Sequence, residues 1–509
     1  MEKSQLDYLK LSKFRQFLYK LGCFFKGIPM FFVNLGIKIW NALKKLFFSI
    51  VNVFKTIGTT FVKGDWKTKV SYLIMGFGNL TNGQILRGIV FVLFEVVFVV
   101  YMITTGGYWL GKFDNLGDLG ATSSYDPILD VFGKVYNDDS FKILLYGLLT
   151  IVFIIAFIVT WYMNIKQCKV IGEIKAQGKK VKSGKDDLKS LVDDQFHKTL
   201  LALPVSGIAL FTVLPIIFMV LVAFTNYDAH HDGRENLFTW IGLENFNQIL
   251  QFTDGQSTIS IAFGEILTWT LIWAFFATFT NYFLGMGVAM IINKKGIKLK
   301  KLWRGVLVLS SAVPQFISLM YVSKLFSETG IVNGILLDWG LIEYGSEIKF
   351  WGDKDLSRVM VILINIWVGI PYLMLIATGV LMNIPQDLYE SAKIDGANAW
   401  QQYTKITLPY MLFVTGPYLL TSFIGNLNNF NVIYLLTGGA PINPDLTSAS
   451  GTVGYTDLLI TWLFKIAIGT DSNYKLASVI GIFIFLIVAT LSVIVYNVLP
   501  SIKNEEDFS

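Results

Sequence analysis

Two groups of polar residues stand out because each interrupts a long apolar stretch of the sequence. The residues are Asn365, Gly369 and Tyr372 in the first group and Ser422, Asn426 and Asn429 in the second. Both groups have the spacing i, i+4, i+7, which places the three residues on one face of a helix. Amides and hydroxyls both donate and accept hydrogen bonds, and a tyrosine ring presents an apolar face. The groups therefore suit an uncharged ligand with many hydroxyls, such as a carbohydrate.

Other interpretations of these residues stay open on the sequence alone. Asparagine and serine also hydrogen-bond between membrane helices, at about 0.6 to 2 kcal/mol per contact, so the same residues could simply hold helices together. An ion or proton carrier would be expected to place a charged side chain on such a face, and neither face has one. A membrane enzyme is disfavoured because none of the three histidines lies in an apolar stretch, and no paired carboxylates do.

The composition indicates that both faces lie within a membrane. Of the 509 residues, 53% are hydrophobic and only 15% are charged, which is typical of a polytopic membrane protein. Several stretches supply the ~20 apolar residues needed to cross about 30 Å of hydrocarbon. They are Gly88–Thr104, Ile143–Met163, Leu200–Thr225, Ile266–Asn293, Val306–Phe326, Val359–Met382, Tyr410–Leu436 and Ala477–Leu499. The sequence therefore predicts an all-α polytopic membrane protein with about eight transmembrane helices.

The distribution of charge predicts which side of the membrane each loop faces. Lysine and arginine collect in cytoplasmic loops. Lys166–Lys198 contains nine lysines and Lys294–Arg304 contains six lysines and arginines, whereas Tyr227–Asp254 contains five acids and one arginine. The first two segments are therefore expected inside and the third outside. With eight spans, both chain termini and the stretch 385–409 fall on the cytoplasmic side of the cell membrane.

The N-terminal region is basic and lacks a long uncharged run. Met1–Lys69 has thirteen lysines and arginines against three acids, and its longest uncharged run, Gly27–Ile37, is eleven residues. This run is too short to span, so we expect an amphipathic helix on the anionic inner membrane surface. A soluble extension that folds on a partner is the alternative. The net charge of +6 thus reflects topology and membrane lipids, and no nucleic-acid partner is predicted.

These features divide the chain into four regions. Residues 1–85 form the basic cytoplasmic or interfacial region, and residues 86–199 contain two membrane helices and a basic cytoplasmic loop. Residues 200–500 hold six membrane helices, and residues 501–509 form a cytoplasmic tail.

No metal or nucleotide site is predicted in the chain itself. His230, His231 and Asp232 are adjacent, and three adjacent side chains cannot all point at one ion. The stretch 178–186 has five residues between its glycines and an aspartate after its lysine, whereas a Walker A loop has four residues and then Ser or Thr. Any energy from ATP must therefore come from another chain.

The polar stretch 385–409 lies between two apolar segments and has the pattern of a short helix, a glycine turn and a second short helix. Pro385 suits a helix start, Asp387 suits the positive end of the helix dipole, Gly396 supplies the turn, and Pro409 is expected to end the unit. An amphipathic interfacial helix between two spans is the plainer alternative.

The same stretch resembles the EAA loop of importer-type ABC permeases. The residues that carry the resemblance are Glu390, Ala392, Gly396, Ile406, Leu408 and Pro409. The similarity extends over about Thr225 to Pro500 and is strongest to maltose/maltodextrin permease subunits of the MalF type. It implies a type I importer (MetI-like) permease core in which this loop is the coupling helix that docks on an ATPase subunit.

The resemblance also implies a substrate and partners. The six polar residues of the two faces match the maltose-contacting positions of such subunits, and Gly425 stands where the family has a phenylalanine that stacks on the sugar. Glycine there implies room for longer oligosaccharides. The implied partners are a second permease subunit of the MalG type, a dimer of MalK-type ATPase subunits that binds ATP and Mg, and an extracellular sugar-binding lipoprotein. This chain is then not an enzyme and has no cofactor of its own.

Two alternatives to maltodextrin import stay open. One is an importer permease for another oligosaccharide, such as a galacto-oligosaccharide, and the other is a secondary sugar carrier that acts alone. The external loop 227–254 is short, whereas Gram-negative MalF subunits carry a large extracytoplasmic domain near this point. A form from a Gram-positive cell is therefore expected.

Overall fold

The computed structural model describes residues 13–118, 121–126, 131–136, 138–178, 181, 193, 196–233, 236–250, 258–294, 296–309, 312–446, 452–469 and 472–498. The predicted tail, 501–509, lies outside these residues. The chain forms two compact units, one of Met1–Asp114 with Lys142–Pro215 and one of Asn115–Phe141 with Ile216–Ser509. The change of unit after Pro215 falls within a helical segment, fifteen residues beyond the start of the six-helix region predicted from the sequence.

The first unit contains a long basic helix, two short helices and three apolar segments. In chain order its helices are α1 (Lys13–Lys63), α2 (Trp66–Val70), α3 (Phe77–Leu80), α4 (Ile85–Tyr101), α5 (Gly107–Gly111), α6 (Ser140–Ala176) and α7 (Phe196–Ile208). A π-helical turn, Met102–Gly106, joins α4 to α5.

Buried polar groups hold the loop between α1 and α4 against α6. Asn164 of α6 donates from Nδ2 to the Ser71 carbonyl oxygen at 2.8 Å and accepts from the Gly76 N–H at 2.9 Å. The Glu95 carboxylate of α4 accepts from the Met75 N–H at 2.7 Å. These backbone groups are buried within the protein, so they need such partners in place of water.

The second unit contains the remaining elements. They are a hairpin of β1 (Ala121–Asp126) and β2 (Val131–Tyr136), then α8 (Leu214–Val222), α9 (Glu244–Leu250), α10 (Thr258–Asn293), α11 (Lys300–Leu309), α12 (Gln315–Leu325), α13 (Ile331–Asp338), α14 (Lys354–Met382), α15 (Gln386–Ile394), α16 (Ala399–Gln402), α17 (Leu408–Leu427), α18 (Phe430–Leu436), α19 (Leu459–Ile468) and α20 (Tyr474–Val498). The strands pair antiparallel, with Ala121 opposite Tyr136.

Helix α10 is central to the second unit because α14 and α17 both pack against it. A Cβ added to Gly285 of α10 would lie 2.7 Å from the Cβ of Leu373 on α14. Glycine is therefore what allows these two helices to approach closely, as small residues do between membrane helices. Met286 and Met374, the neighbours of these two residues in sequence, are buried in the apolar cluster that contains Leu373.

The prediction of an all-α membrane protein is confirmed, and the β1–β2 hairpin is an addition to it. In the described part of the chain, eight helical segments are long and apolar enough to cross a membrane. They are Gly36–Lys63, Ile85–Gly111, Ser140–Ala176, Phe196–Val222, Ile259–Asn293, Lys354–Met382, Ala399–Leu427 and Tyr474–Ile494.

Two of the predicted spans are wrong as single helices. The predicted Val306–Phe326 contains two short helices, α11 and α12, and Pro314 directly precedes α12 in an extended conformation with ψ of 128°. Proline lacks an N–H and disfavours helix at the residue before it, which favours a break at this point. The predicted Tyr410–Leu436 breaks between α17 and α18, where the Asn429 side chain accepts from the Val432 N–H and caps the new helix.

The N-terminal region forms one long basic helix, and its position on the inner membrane surface stays a prediction. Its helix α1 is 51 residues long, and its second half, Gly36–Lys63, qualifies as a span with a mean hydropathy of 1.2. The sequence argument excluded a span because lysines interrupt the uncharged runs. In the helix, Lys38, Lys44, Lys45, Lys55 and Lys63 fall within one arc of the circumference, as they do in an amphipathic helix.

A buried ion pair anchors the loop that follows α18. The Asp457 carboxylate is inaccessible to solvent and accepts from Lys465 Nζ at 2.7 Å and from the Gly454 N–H at 2.8 Å. Gly439 has a φ of 91°, and a Cβ there would meet Asp457 and Lys465. Both the backbone conformation and the close approach of the ion pair therefore require glycine.

A second ion pair ties the loop after α8 to the start of α20. The Asp228 carboxylate lies 2.6 Å from Lys475 Nζ and 2.9 Å from His231 Nδ1. Partial burial alone would raise the pKa of Asp228, but the hydrogen bonds and charge of Lys475 and His231 outweigh it and lower the pKa to about 2. The ionised carboxylate is therefore the form that the fold stabilises.

Asp228→Asn is expected to lower the thermal unfolding midpoint of the detergent-solubilised protein near neutral pH. The folded-state pKa of about 2 lies below the ordinary 3.8, so the ionised group stabilises the fold above about pH 4 and this stabilisation is lost as the pH falls toward 2. The effect is about 1 to 2 kcal/mol. Asp338→Asn, at an exposed position on α13, is the control. Two results would contradict this account. One is an equal fall in the unfolding midpoint of Asp338→Asn. The other is a midpoint difference between Asp228→Asn and the native protein that stays the same as the pH is lowered toward 2.

Candidate functional site

The first polar face lies on α14, which continues unbroken through Pro371. Asn365 is only 6% exposed, and its Nδ2 has no hydrogen-bond partner among the residues that the structure describes. Tyr372 is 57% exposed, and its ring centroid lies 6.3 Å from that of Tyr418 on α17. The face therefore runs from a buried amide with hydrogen-bonding capacity to spare to an open aromatic ring.

The second polar group lies at the end of α17. Asn426 Nδ2 donates to Thr278 Oγ1 of α10 at 3.0 Å, and Asn429 Nδ2 donates to Asn426 Oδ1 at 3.3 Å. Ser422 lies one turn earlier and hydrogen-bonds with Tyr418. The predicted arrangement on one helical face is wrong for Asn429, because α17 ends at Leu427 and Asn429 caps α18. A chain of side-chain hydrogen bonds joins Asn429 to Asn426 instead.

The structure adds Asn281 of α10 to this group. Asn281 is 7% exposed, and its Oδ1 has no hydrogen-bond partner in the described part of the chain. Its amide lies against Gly369, where an added Cβ would be 2.7 Å from Asn281 Cγ and would also meet Nδ2. The predicted Gly369 therefore packs against Asn281, and a larger residue there would require the Asn281 side chain to shift.

We group these residues under the name amide cluster, which we define as Thr278 and Asn281 of α10, Asn365 of α14 one turn before Gly369, and Asn426 and Asn429 at the α17–α18 break. Within it, Asn281 Oδ1 is an unused acceptor and Asn365 Nδ2 is an unused donor among the described contacts. A hydroxyl group can donate to Asn281 Oδ1 or accept from Asn365 Nδ2, so a ligand with several hydroxyls complements both atoms. Sequence analysis missed Thr278 and Asn281, although their i, i+3 spacing within an apolar helix was a usable signal.

The predicted coupling loop has the expected helix–turn–helix geometry. Helix α15 ends in a turn where Gly396 has a φ of 77°, and the Ala397 N–H donates to the Ala392 carbonyl oxygen at 2.8 Å. Asn398 begins α16 with reciprocal hydrogen bonds to Gln401, which satisfies two donors at the helix start. Glu390 is exposed and Ile406 is half-buried.

The end of this loop differs from the expectation. Pro409 does not end the unit, because the helix runs on from Ala399 to Leu427. A π-helical turn, Tyr403–Thr407, lies directly before Leu408 and Pro409. A wider turn relieves the clash of a proline ring with the preceding turn. The loop is thereby continuous with the helix that carries Ser422 and Asn426.

Apolar side chains of the loop are left open. Ile394 is 86% exposed and Trp400 is 69% exposed, and within the described residues no side chain of α15 is buried. In contrast, Tyr389 and Thr407 join the two arms of the loop through their hydroxyls at 2.8 Å. The loop is thus internally braced and presents an apolar surface.

The fold and the polar groups together define a polytopic permease with a helical loop at one membrane face. Residues 281–501 match the family described as binding-protein-dependent transport system inner membrane component. The maltodextrin transport system permease protein MalC of Streptococcus pneumoniae is 32% identical over 86% of this chain and 97% of its own length. The galactooligosaccharides transport system permease protein GanP of Bacillus subtilis is 30% identical over 85% of this chain and 97% of its own.

The chain belongs to this family of binding-protein-dependent inner membrane transport components, and it is therefore a membrane-embedded transport subunit. The predicted resemblance to importer permeases of the MalF type is confirmed. The maltose/maltodextrin transport system permease protein MalF of Salmonella typhimurium is 35% identical, but over 50% of this chain and only 48% of its own length. Similarity to MalC and GanP covers nearly their whole length, as expected for forms without a large additional domain.

Gly369→Ala is expected to destabilise the second unit by about 1 to 3 kcal/mol, because its methyl group overpacks the contact with Asn281. The thermal unfolding midpoint in detergent measures this. Gly379→Ala on the same helix is the control, since a Cβ there meets no atom within 4 Å.

The partner substitution Asn281→Ala completes the test of this contact. In that background Gly369→Ala should cost little, because the amide that it meets is gone. If Gly369→Ala lowers the midpoint equally with and without Asn281, the contact does not explain why residue 369 is glycine.

Proposed function

We propose that this chain is one permease subunit of an ATP-driven importer for maltose and maltodextrins and forms half of the translocation pore. The observation that carries the proposal is the continuous helix Ala399–Leu427, 29 residues long. It spans about 43 Å at 1.5 Å per residue and connects the Gly396 loop at one end to Asn426 at the other. Movement imposed on the loop would therefore reach Asn426 through one continuous helix.

The proposed orientation places the loop and both chain termini in the cytoplasm. The basic segments Lys166–Lys198 and Lys294–Arg304 support it through the positive-inside rule. It requires Gly36–Lys63 to lie along the inner membrane surface without crossing. It also requires the chain to cross the membrane between Arg304 and Lys354, where α11 and α12 provide 10 and 11 residues. If the two helices are placed end to end along one axis, their combined length is about 32 Å. A broken helix is tolerated at membrane depth where protein or a water-filled cavity surrounds the break.

The proposed partner at the loop is a dimer of MalK-type ATPase subunits. Glu390, Ala392, Gly396, Ile406, Leu408 and Pro409 carry the coupling role in this proposal. The open side chains of Ile394 and Trp400 suit an apolar groove on such a partner, since exposed aromatic residues are enriched where proteins dock. ATP and Mg would be bound by that dimer. A second permease subunit of the MalG type would complete the pore, and an extracellular sugar-binding lipoprotein would deliver the substrate.

The proposed substrate contacts are Asn365, Gly369, Tyr372, Ser422, Asn426 and Asn429. The unused Nδ2 of Asn365 favours a ligand role for that residue over interhelical hydrogen bonding, because a residue that holds helices together would already be paired. Tyr372, more than half exposed, supplies a ring face for a sugar. The name of MalC supports maltodextrin as the substrate class.

A galacto-oligosaccharide is the second candidate substrate, and Gly425 favours it. A Cβ at Gly425 would meet no atom within 4 Å. The space that the stacking phenylalanine fills in the family is therefore empty here, and a bulkier or differently linked sugar has room. The name of GanP points in the same direction.

Gly396→Val is expected to reduce maltotriose uptake about tenfold in proteoliposomes with the complete transporter. A β-branched residue is strained at a φ of 77°, at about 1 to 3 kcal/mol, and the strain falls on the coupling loop. ATPase activity stimulated by the binding protein should fall in parallel. Gly340→Val is the matched control, because Gly340 also has a positive φ, 66°, and open space around it but lies between α13 and α14.

Two outcomes would contradict the importer mechanism. If both valine variants reduce uptake equally, the loss reflects general strain and not coupling. If uptake continues when the ATPase subunits are omitted, the chain is a secondary carrier that acts alone.

Gly425→Phe is expected to favour short sugars, because its ring fills the open position and stacks on a sugar face. Uptake of longer maltodextrins should fall several-fold relative to uptake of maltose, as measured with labelled sugars of graded length. Gly379→Phe, where a Cβ also meets no atom within 4 Å, should leave the preference unchanged. Transport of a galacto-oligosaccharide but no maltodextrin by the native chain would replace the proposed substrate with the second candidate.

A further inference from the structure

A cavity of about 720 Å³ lies entirely within the first unit, between the end of α1 and the last turns of α6. Its hydrogen-bonding walls carry three ammonium groups together with hydroxyl and amide groups. These residues are Lys63, Lys169 and Lys175, and Thr59, Thr60 and Asn82. The proposed function uses none of them.

The two acids that line the cavity are already engaged. Asp65 Oδ1 accepts from the Thr68 N–H at 2.9 Å and from Thr68 Oγ1 at 2.7 Å. Partial burial alone would raise the pKa of Asp65, but these hydrogen bonds and the charges of Lys175 and Lys67 outweigh it and lower the pKa. Glu173 lies 3.9 Å from Lys169. Residues 56–87 and 164–178 together carry seven lysines and arginines against these two acids, so the surroundings attract an anion.

The cavity lies where a membrane surface is expected. Helix α6 has 37 residues and is about 55 Å long, which exceeds the ~30 Å of hydrocarbon. Its last turns, which line the cavity, therefore project past the hydrocarbon on the side proposed as cytoplasmic. Beside the cavity, Val62 is 76% exposed and Trp66 is 63% exposed. Lysine beside exposed apolar and aromatic residues is typical of the membrane interface.

We propose that this cavity binds the phosphodiester headgroup of an anionic phospholipid such as phosphatidylglycerol. The phosphate pairs with Lys63, Lys169 and Lys175, and the headgroup hydroxyls bond to the threonine and asparagine side chains. The acyl chains lie against the apolar residues beside the opening. Basic pockets at the cytoplasmic ends of membrane helices suit such headgroups. The chemistry is phosphate recognition, and the membrane position identifies lipid as its source.

The test measures lipid retention by the assembled transporter. The transporter is purified in phosphatidylcholine, exchanged against phosphatidylglycerol and examined by native mass spectrometry for bound lipid. The triple substitution K63Q/K169Q/K175Q is expected to weaken retention by on the order of tenfold or more. The matched control, K38Q/K44Q/K45Q, removes the same charge from exposed positions of α1 and should retain the lipid. Equal loss in both variants would show surface-wide attraction and overturn the proposal.

A filling variant tests the cavity without altering its charge. A Cβ at Gly172 meets no atom within 4 Å, so Gly172→Leu should fold normally, occupy the cavity and displace the lipid. Lipid retention unchanged in Gly172→Leu would overturn the proposal even if the triple variant failed to fold.

Inorganic phosphate and glycerol 3-phosphate separate a soluble anion from a lipid. Neither should displace phosphatidylglycerol, because the acyl chains add to its affinity. Displacement by either anion at comparable concentration would make a soluble phosphate the ligand and refute the lipid assignment. Lipid retention is measured without transport, so its failure leaves the importer proposal untouched. In the same way, a failure of sugar uptake leaves the measured lipid retention unchanged.

Discussion

The close approach of α10 and α14 is the constraint on which the second unit depends. Gly285 admits Leu373, and Gly369 admits the Asn281 amide, so each helix supplies the glycine that the other needs. Hydrocarbon does not drive helices together as water does, and membrane helices therefore rely on such close packing and on hydrogen bonds. The same contact carries Asn281 and Asn365 into a buried interface, where their unused polar atoms are costly unless a ligand, water or another subunit meets them.

At two places asparagine side chains replace backbone hydrogen-bond partners that a regular helix would supply. Asn429 caps the helix that begins after the break at Asn428, and Asn164 holds both Ser71 and Gly76. In each case an amide offers a donor and an acceptor from one residue. The asparagines that suggest a sugar site thus also perform structural work, and Asn426 does both in the proposed pore, because it bonds to Thr278 while lying beside the face proposed for substrate.

The proposed coupling depends on stiffness. The helix from Ala399 to Leu427 is uninterrupted, and its π-helical turn before Pro409 accommodates the proline without ending the helix. A hinge at that point would absorb a displacement of the loop before it reached Asn426. The hydrogen bond between Tyr389 and Thr407 ties α15 to the turn at the start of this helix.

The sequence by itself determined the membrane class, the helix–glycine–helix loop at 385–409 and the polar residues of the proposed pore, because composition, turn chemistry and helical spacing are local properties. It did not determine that 306–326 and 410–436 are broken, since asparagine and proline also occur inside continuous membrane helices of this chain, as Asn365 and Pro371 do. Asn281 and Gly369 are 88 positions apart, and Lys63 and Lys175 are further apart still. Only the tertiary structure decides which helix faces meet, because close packing depends on the shapes of both partners, and the pattern within either one does not record the other.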